Sequence, residues 1–289
     1  MIPSDKALDS KHSKEHHETV FFDSCWPNTN GDLMSKHIRP DLLAINPRHT
    51  VSIQHVGLGQ HQVVVIDNFY EHPDDVLQIA LSLPYTDRFE IVGNFPGVRA
   101  TLNIETRELV ETLSAFWGCP LFTFFSPQPV VFQGIKTHNY RLNVGQRQPH
   151  IDQDITAMVY LNPADSCTGG TGLYRHRPTG LERVPIIPDT TIRQLADQLE
   201  LSDEFLTSPQ GYENFQNSMI FNPLFACRRQ AYINDGNEYW ELLKLVEMRP
   251  NRLLMFDGRC FHSQYIQSGD YDQAFRVNQI LYLSREKKS

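Results

Sequence analysis

From Phe122 onward the chain repeats one pattern: short runs of β-branched and aromatic residues, each ended by turn residues. The runs are 122–125, 130–133, 137–142, 149–161, 172–176, 251–256, 261–267 and 274–283. Many short strands separated by turn signals predict a β-sandwich or jelly roll. Upstream, 62–69 reads as another strand, and Pro73-Asp74-Asp75 opens a helix carrying Val76, Leu77, Ile79, Ala80 and Leu83. A second helix is expected over 105–117, closed by Gly118 and Pro120, with 94–99 as a turn between the two helices. The β pattern lapses between 182 and 250. There Ile192, Leu195, Ala196 and Leu199 fit a helix, as do Tyr239, Trp240, Leu243 and Val246. This stretch is expected to be a helical insertion that shapes a substrate site.

The main domain is expected over 61–289, preceded by an N-terminal extension, 1–60. The first ~20 residues of that extension are polar, charged and mobile in character. A net charge of −8 argues against nucleic acid as the main partner. The five cysteines are scattered without a C-x-x-C pair, which speaks for reduced thiols and a cytoplasmic protein. No apolar run of membrane-spanning length is present, so no membrane partner is expected.

The chemistry concentrates in Arg147-Gln148-Pro149-His150-Ile151-Asp152-Gln153-Asp154 and Phe256-Asp257-Gly258-Arg259-Cys260-Phe261-His262. Residues i and i+2 of an extended segment share a face, so His150 and Asp152 present an imidazole and a carboxylate together. With His262 they make the two-His, one-carboxylate set that leaves half of an octahedral Fe(II) open. Asp154 competes with Asp152 as ligand, or would orient an imidazole from behind. His138 and His176 are rivals of His262, whose bland alternative is a satisfied core histidine.

Arg276 is the next constraint. Period two places Arg276, Asn278, Ile280 and Tyr282 on one face of 274–283, and Phe275, Val277, Leu281 and Leu283 on the other. Both faces are largely apolar, so the guanidinium is expected to be buried and to need an anion. That anion is either an acidic residue of the chain or the carboxylate of a bound cosubstrate, which a planar donor fork fits best.

In order, these segments resemble the iron- and 2-oxoglutarate-dependent dioxygenase superfamily. Val64-Val65-Ile66-Asp67-Asn68-Phe69 resembles its opening strand. Arg141-Leu142-Asn143-Val144-Gly145 leading to His150-Ile151-Asp152 is similar to its approach to the H-x-D motif. Val159-Tyr160-Leu161-Asn162, Gly169-Gly170-Thr171-Gly172 and Asn251–Phe256 followed by His262 resemble its later strands. Phe95–Arg99 and Tyr174–Arg177 resemble a poorly characterised bacterial branch. The resemblance spans roughly 61–285, apart from 182–250. Leu142 stands where a tyrosine is usual, with Tyr140 and Asn143 close by.

The resemblance implies an α+β, mainly β fold: a double-stranded β-helix (jelly roll) core with flanking helices and the helical insertion. It implies Fe(II) on His150, Asp152 and His262. It also implies 2-oxoglutarate bound through Arg276, with Asn278, Tyr140 and Asn143 as further cosubstrate-binding residues. The expected activity is hydroxylation of a small-molecule or amino-acid-like substrate. The competing expectations are a cupin-like metal enzyme without 2-oxoglutarate and a non-catalytic binding protein on the same fold.

Overall fold

A computed structural model describes residues 38–85, 97–124, 129–135, 147–152, 154–198, 206, 208, 210–212, 232–272 and 274–286. Tyr140, Asn143 and His138 lie outside the described residues, as does the first part of the expected extension.

The elements in chain order are β1 (Thr50–Val56), β2 (His61–Asp67), α1 (Pro73–Ser82), β3 (Val98–Leu102), α2 (Arg107–Trp117), β4 (Phe122–Thr123), β5 (Val130–Ile135), β6 (Ile155–Tyr160), β7 (Gly170–His176), α3 (Thr190–Gln198), β8 (Trp240–Glu247), β9 (Arg252–Asp257), β10 (His262–Tyr265) and β11 (Arg276–Ser284). An eight-stranded sheet runs β1-β2-β9-β6-β11-β5-β3, with β4 also on β11, and a three-stranded sheet runs β10-β7-β8. The strand pairs among the described residues are antiparallel.

The two faces of the large sheet follow from period two along its strands. One face carries Val64, Ile66, Ala100, Phe132, Ala157, Val159, Leu253, Met255, Val277 and Leu281, packed with Val76 and Ala80 of α1 and Leu109, Val110 and Leu113 of α2. Pro73 at the first turn of α1, with Asp74 and Asp75 beside it, suits a helix start. Gly118 ends α2 at φ 90°, a left-handed conformation that glycine adopts without a Cβ clash. The other face looks toward the small sheet. Val63, Val65, Leu254 and Phe256 meet Leu173 and Val246 there, and Val131, Met158, Tyr160 and Ile280 form a neighbouring cluster.

Several expectations need correction. Residues 239–246 were expected to be helical, but Trp240–Glu247 is β8, paired with β7. The periodicity misleads because a register irregularity at Leu173/Tyr174 breaks the strict alternation of the pair. The expected insertion therefore contains a sheet strand, while α3 does form over Thr190–Gln198. Val98–Leu102, expected in part as a turn, is β3. Thr50–Val56, expected within an irregular extension, is an edge strand paired with β2 along its length, so the sheet begins before His61. Among the described residues no helix is long and apolar enough to cross a membrane.

Candidate metal centre

His150, Asp152 and His262 come together as expected, with one ligand atom of each within 4.8 Å of the others. The backbone explains why. His150 and His262 form an isolated antiparallel bridge, His150 N to His262 O at 2.9 Å and His262 N to His150 O at 3.0 Å. Directly opposed residues point to the same side, and the two rings lie 4.5 Å apart. Asp152 is anchored through its N–H to the Gly258 carbonyl at 2.7 Å, which draws it toward the turn ahead of β10. Residues 149–152 are thus held by bridges rather than by a continuous strand, and β6 begins only at Ile155.

The donor set suits a cation. His150 Nδ1 faces the Gln148 carbonyl at 3.3 Å, and His262 Nδ1 faces the Cys260 carbonyl at 2.9 Å. Carbonyls only accept, so each Nδ1 carries the proton and each Nε2 offers its lone pair. His262 Nε2 also lies 3.1 Å from Asp152 Oδ2. A neutral imidazole cannot donate to both oxygens. A metal ion between Nε2 and the carboxylate would satisfy both groups. Burial, helped by the charge of His262, lowers His150 to about 4. Burial alone would raise Asp152, but the hydrogen bond from His262 and the charges of His262, His150 and Arg99 bring it down to about 2. At neutral pH the chain therefore offers a neutral imidazole and a carboxylate, the forms a divalent metal binds.

The two rivals among the described residues, Asp154 and His176, fall elsewhere. Asp154 is not on the face of Asp152. Its carboxylate takes the Arg285 backbone N–H at 2.6 Å and Nε at 2.7 Å, and so fastens the end of β11. Asp154 itself sits at a bend, with Gly258 N donating to Asp154 O at 2.9 Å. His176 stacks on Trp240 with centroids 4.7 Å apart, sets Nδ1 2.9 Å from Thr179 Oγ1, and is lowered to about 4 by burial. It is a neutral core histidine.

Arg276 is fully buried on the inward face of β11. Nη2 donates to the Gly170 carbonyl at 2.9 Å, and the guanidinium lies 5.5 Å from the centroid of the Tyr160 ring. Turned with its oxygen toward the guanidinium, the Asn278 amide accepts from Nη1 at 2.7 Å. Among the described residues Nε has no partner and no carboxylate pairs with this cation. Gly170, which Arg276 touches, pairs with Tyr265, and Leu173 pairs with His262. The Arg276 guanidinium thus reaches the small sheet at the Gly170–Tyr265 end of the β7–β10 pair, and His262 stands three residues further along it, about 10 Å at the usual rise of a strand.

Sequence reasoning missed Arg99, Tyr282 and Gln264. Arg99 Nη2 donates to Tyr282 Oη at 3.1 Å, and burial pushes the Tyr282 phenol up to about 12. Tyr282 sits opposite Thr156, whose hydroxyl donates to Asp152 Oδ2 at 3.4 Å. Gln264 follows His262 by two on β10 and is buried with Oε1 unpartnered. The alternation of Val98, Ala100 and Leu102 against Arg99 and Thr101 was a strand signal, hidden by the Pro96-Gly97 turn pair before it.

A search of curated proteins returned no match. A family model does match, over residues 47–226 and 222–274, and these segments take in the two histidines, the aspartate and most strands of both sheets. The chain belongs to that family, described as a family of unknown function (DUF6445).

Proposed function

We propose that this protein is an Fe(II)- and 2-oxoglutarate-dependent oxygenase acting on a small-molecule or amino-acid-like substrate. The observation that carries the reading is the pairing of a His/Asp/His cluster with a buried guanidinium that has no carboxylate partner among the described residues. Leaving such a charge unpaired costs several kcal/mol, a cost that an incoming carboxylate offsets. The strand order supports a jelly-roll core. Going along the chain, β5, β6, β9 and β11 lie in the large sheet, and the His150 bridge, β7, β8 and β10 in the small one. The chain thus winds between two facing sheets, with the site between them.

His150, Asp152 and His262 would hold the iron on one side and leave its other positions to cosubstrate and oxygen. When bound, iron with 2-oxoglutarate supplies the oxidising chemistry, with succinate and carbon dioxide as coproducts. Arg276 would take the far carboxylate of 2-oxoglutarate, with Asn278 holding the guanidinium flat. Met158, Ile280 and Val131 line the same interior and exclude water from it. The Cys260 and Gln148 carbonyls fix the ring orientations before any ligand arrives.

The test is anaerobic thermal stability of the protein alone, with Fe(II), and with Fe(II) plus 2-oxoglutarate. A ligand at 100 times its Kd stabilises by about 2.7 kcal/mol. The expected result is stepwise stabilisation, the first step lost in His150→Ala and the second in Arg276→Gln. A shift with metal alone replaces this reading with a cupin-like metal enzyme, and no shift with either leaves a non-catalytic binding protein.

A further inference from the structure

The His/Asp/His cluster is made by two short segments, 150–152 and the link 257–262 between β9 and β10, joined by one isolated bridge. Gly258 pins them further through the backbone. It takes the Asp152 N–H at 2.7 Å and gives its own N–H to the Asp154 carbonyl at 2.9 Å. Segments held by so few backbone bonds open locally at low cost. A metal centre instead needs its ligands held within about 0.5 Å of the working geometry.

The end of β11 supplies the added hold. Ile155, the first residue of β6, pairs with Asp257 of β9 on one side and with Leu283 of β11 on the other. Arg285 follows Leu283 by two and touches both neighbours of that pairing. Its backbone N–H and Nε donate to the Asp154 carboxylate at 2.6 and 2.7 Å, and Nη2 donates to Asp257 Oδ2 at 3.3 Å. Arg183 Nε stands 2.9 Å from the same Oδ2. Asp257 Oδ1 accepts the Arg259 N–H at 2.9 Å, which shapes the turn ahead of His262. Asp154 comes two residues after one candidate ligand, and Asp257 five residues before another. Their side chains are only 11% and 10% exposed, so charge between them is poorly screened and a shared cation draws the two together.

We propose that Arg285 is a positioning residue for the metal centre: by holding Asp154 and Asp257 together it sets Asp152 against His262 before any metal arrives. The same contacts occupy the Asp154 carboxylate, which is near enough in sequence to compete with Asp152 for the ion. A planar fork spans two carboxylates in a way that the point charge of lysine matches only in part. The proposal rests on the metal centre of the oxygenase reading for its purpose, while the clamp itself stands on the contacts just given.

The experiment has two arms, both on the full chain. The first follows hydrogen–deuterium exchange at the amides of His150, Asp152 and His262 by NMR in the metal-free protein. The second titrates Co(II) and records its visible absorption. Wild type is compared with Arg285→Gln, Arg285→Lys and the double variant Asp154→Asn/Arg285→Gln, which leaves no unpaired carboxylate at 154 should the single variant fold poorly. Arg39→Gln is the control, since it removes contacts to Asp41 and Asp75 beside α1 and none at the centre. The expected result is faster exchange at the three amides in Arg285→Gln and in the double variant, with Co(II) affinity down about tenfold, the lower end for residues that hold metal ligands in place. The Co(II) spectrum should change as well. Arg285→Lys should recover part of each loss, and Arg39→Gln should show none. The proposal is overturned if the three amides exchange in Arg285→Gln as in wild type, or if Co(II) affinity and spectrum stay those of wild type. Equal losses in Arg39→Gln also overturn it, because the effect is then one of overall stability. Absence of Co(II) binding to wild type defeats the oxygenase reading instead, and the exchange arm then decides the Arg285 clamp alone.

Discussion

On the helix-covered face of the large sheet, Val64, Phe132, Ala157, Leu253 and Leu281 pack against α1 and α2 as a nearly continuous apolar layer. The polar pair Tyr70 and Gln279 lies there, the phenol donating to the Gln279 oxygen at 2.9 Å, while Gln279 Nε2 has no partner among the described residues. The opposite face of the same strands carries Thr156, Tyr160, Arg276, Asn278 and Tyr282, and looks toward His262 and Gln264. Among the described residues, Arg276 Nε and Gln264 Oε1 find no partner there. The difference shows where stability and chemistry are separated. One face is built mostly of apolar side chains, while the other gathers a buried cation and the His/Asp/His cluster.

The comparison breaks most visibly in the apolar layer. Phe132→Ala should cost about 3–5 kcal/mol, the usual range for emptying a buried aromatic site, while metal affinity per folded molecule stays unchanged. Denaturant unfolding and metal titration of the same sample check this, and a large loss of metal affinity would show that the two faces are coupled.

The inward face should behave in the opposite sense. Arg276→Met exchanges a buried charge for an apolar side chain and should stabilise the ligand-free protein by about 1–4 kcal/mol, while removing stabilisation by 2-oxoglutarate. A destabilised Arg276→Met protein in urea unfolding would show that the cation is already well paired.

The pH dependence comes next. His176 is lowered from 6.5 to about 4 by burial. As pH falls below 6.5 the unfolded chain takes up this proton before the folded one, so stability declines from pH 6.5 down to about 4 and then levels. His176→Gln should flatten that decline in Tm measurements across this range, and an unchanged slope would assign it to other groups. The smallest effect is expected at Gln264. Removing its unpartnered amide oxygen in Gln264→Leu should stabilise the metal-free protein by about 1 kcal/mol, and a loss of stability would mean the amide has a partner in solution.

How much of this could be read from the residues depends on what each position has to satisfy. His150, Asp152 and His262 were legible because ligand chemistry demands particular residue types at close spacing, and spacing survives a misread strand. Arg276 was legible because period two on β11 placed it between two apolar faces, although its neighbours could not be read. Strand β8 was not legible. Trp240, Leu243 and Val246 fit a helical rhythm because Leu243 is an extra residue of β8, skipped between the Tyr174–Leu242 and Leu173–Lys244 pairs, and only pairing with the distant β7 shows it. Strand β1 was obscured because it is an edge strand with Val51 and Ile53 exposed, so burial leaves little pattern on it. Arg99 and Tyr282 meet only because β3, β5 and β11 are neighbours in the sheet, a fact of topology that local pattern does not contain.

Strand β11 pairs with β5 on one side and β6 on the other, and its alternate residues divide between the apolar layer and the interior. A slip of one residue would drive Arg276 and Asn278 into the helix-covered layer and turn Leu281 and Leu283 toward the interior. No such misaligned chain could be stable. Folding therefore acts as its own inspection of the site, because a molecule that has packed its core has already aimed its guanidinium. Loss of function by gradual misalignment is closed to this protein, and variants should divide into those that fold with the site aimed and those that do not fold.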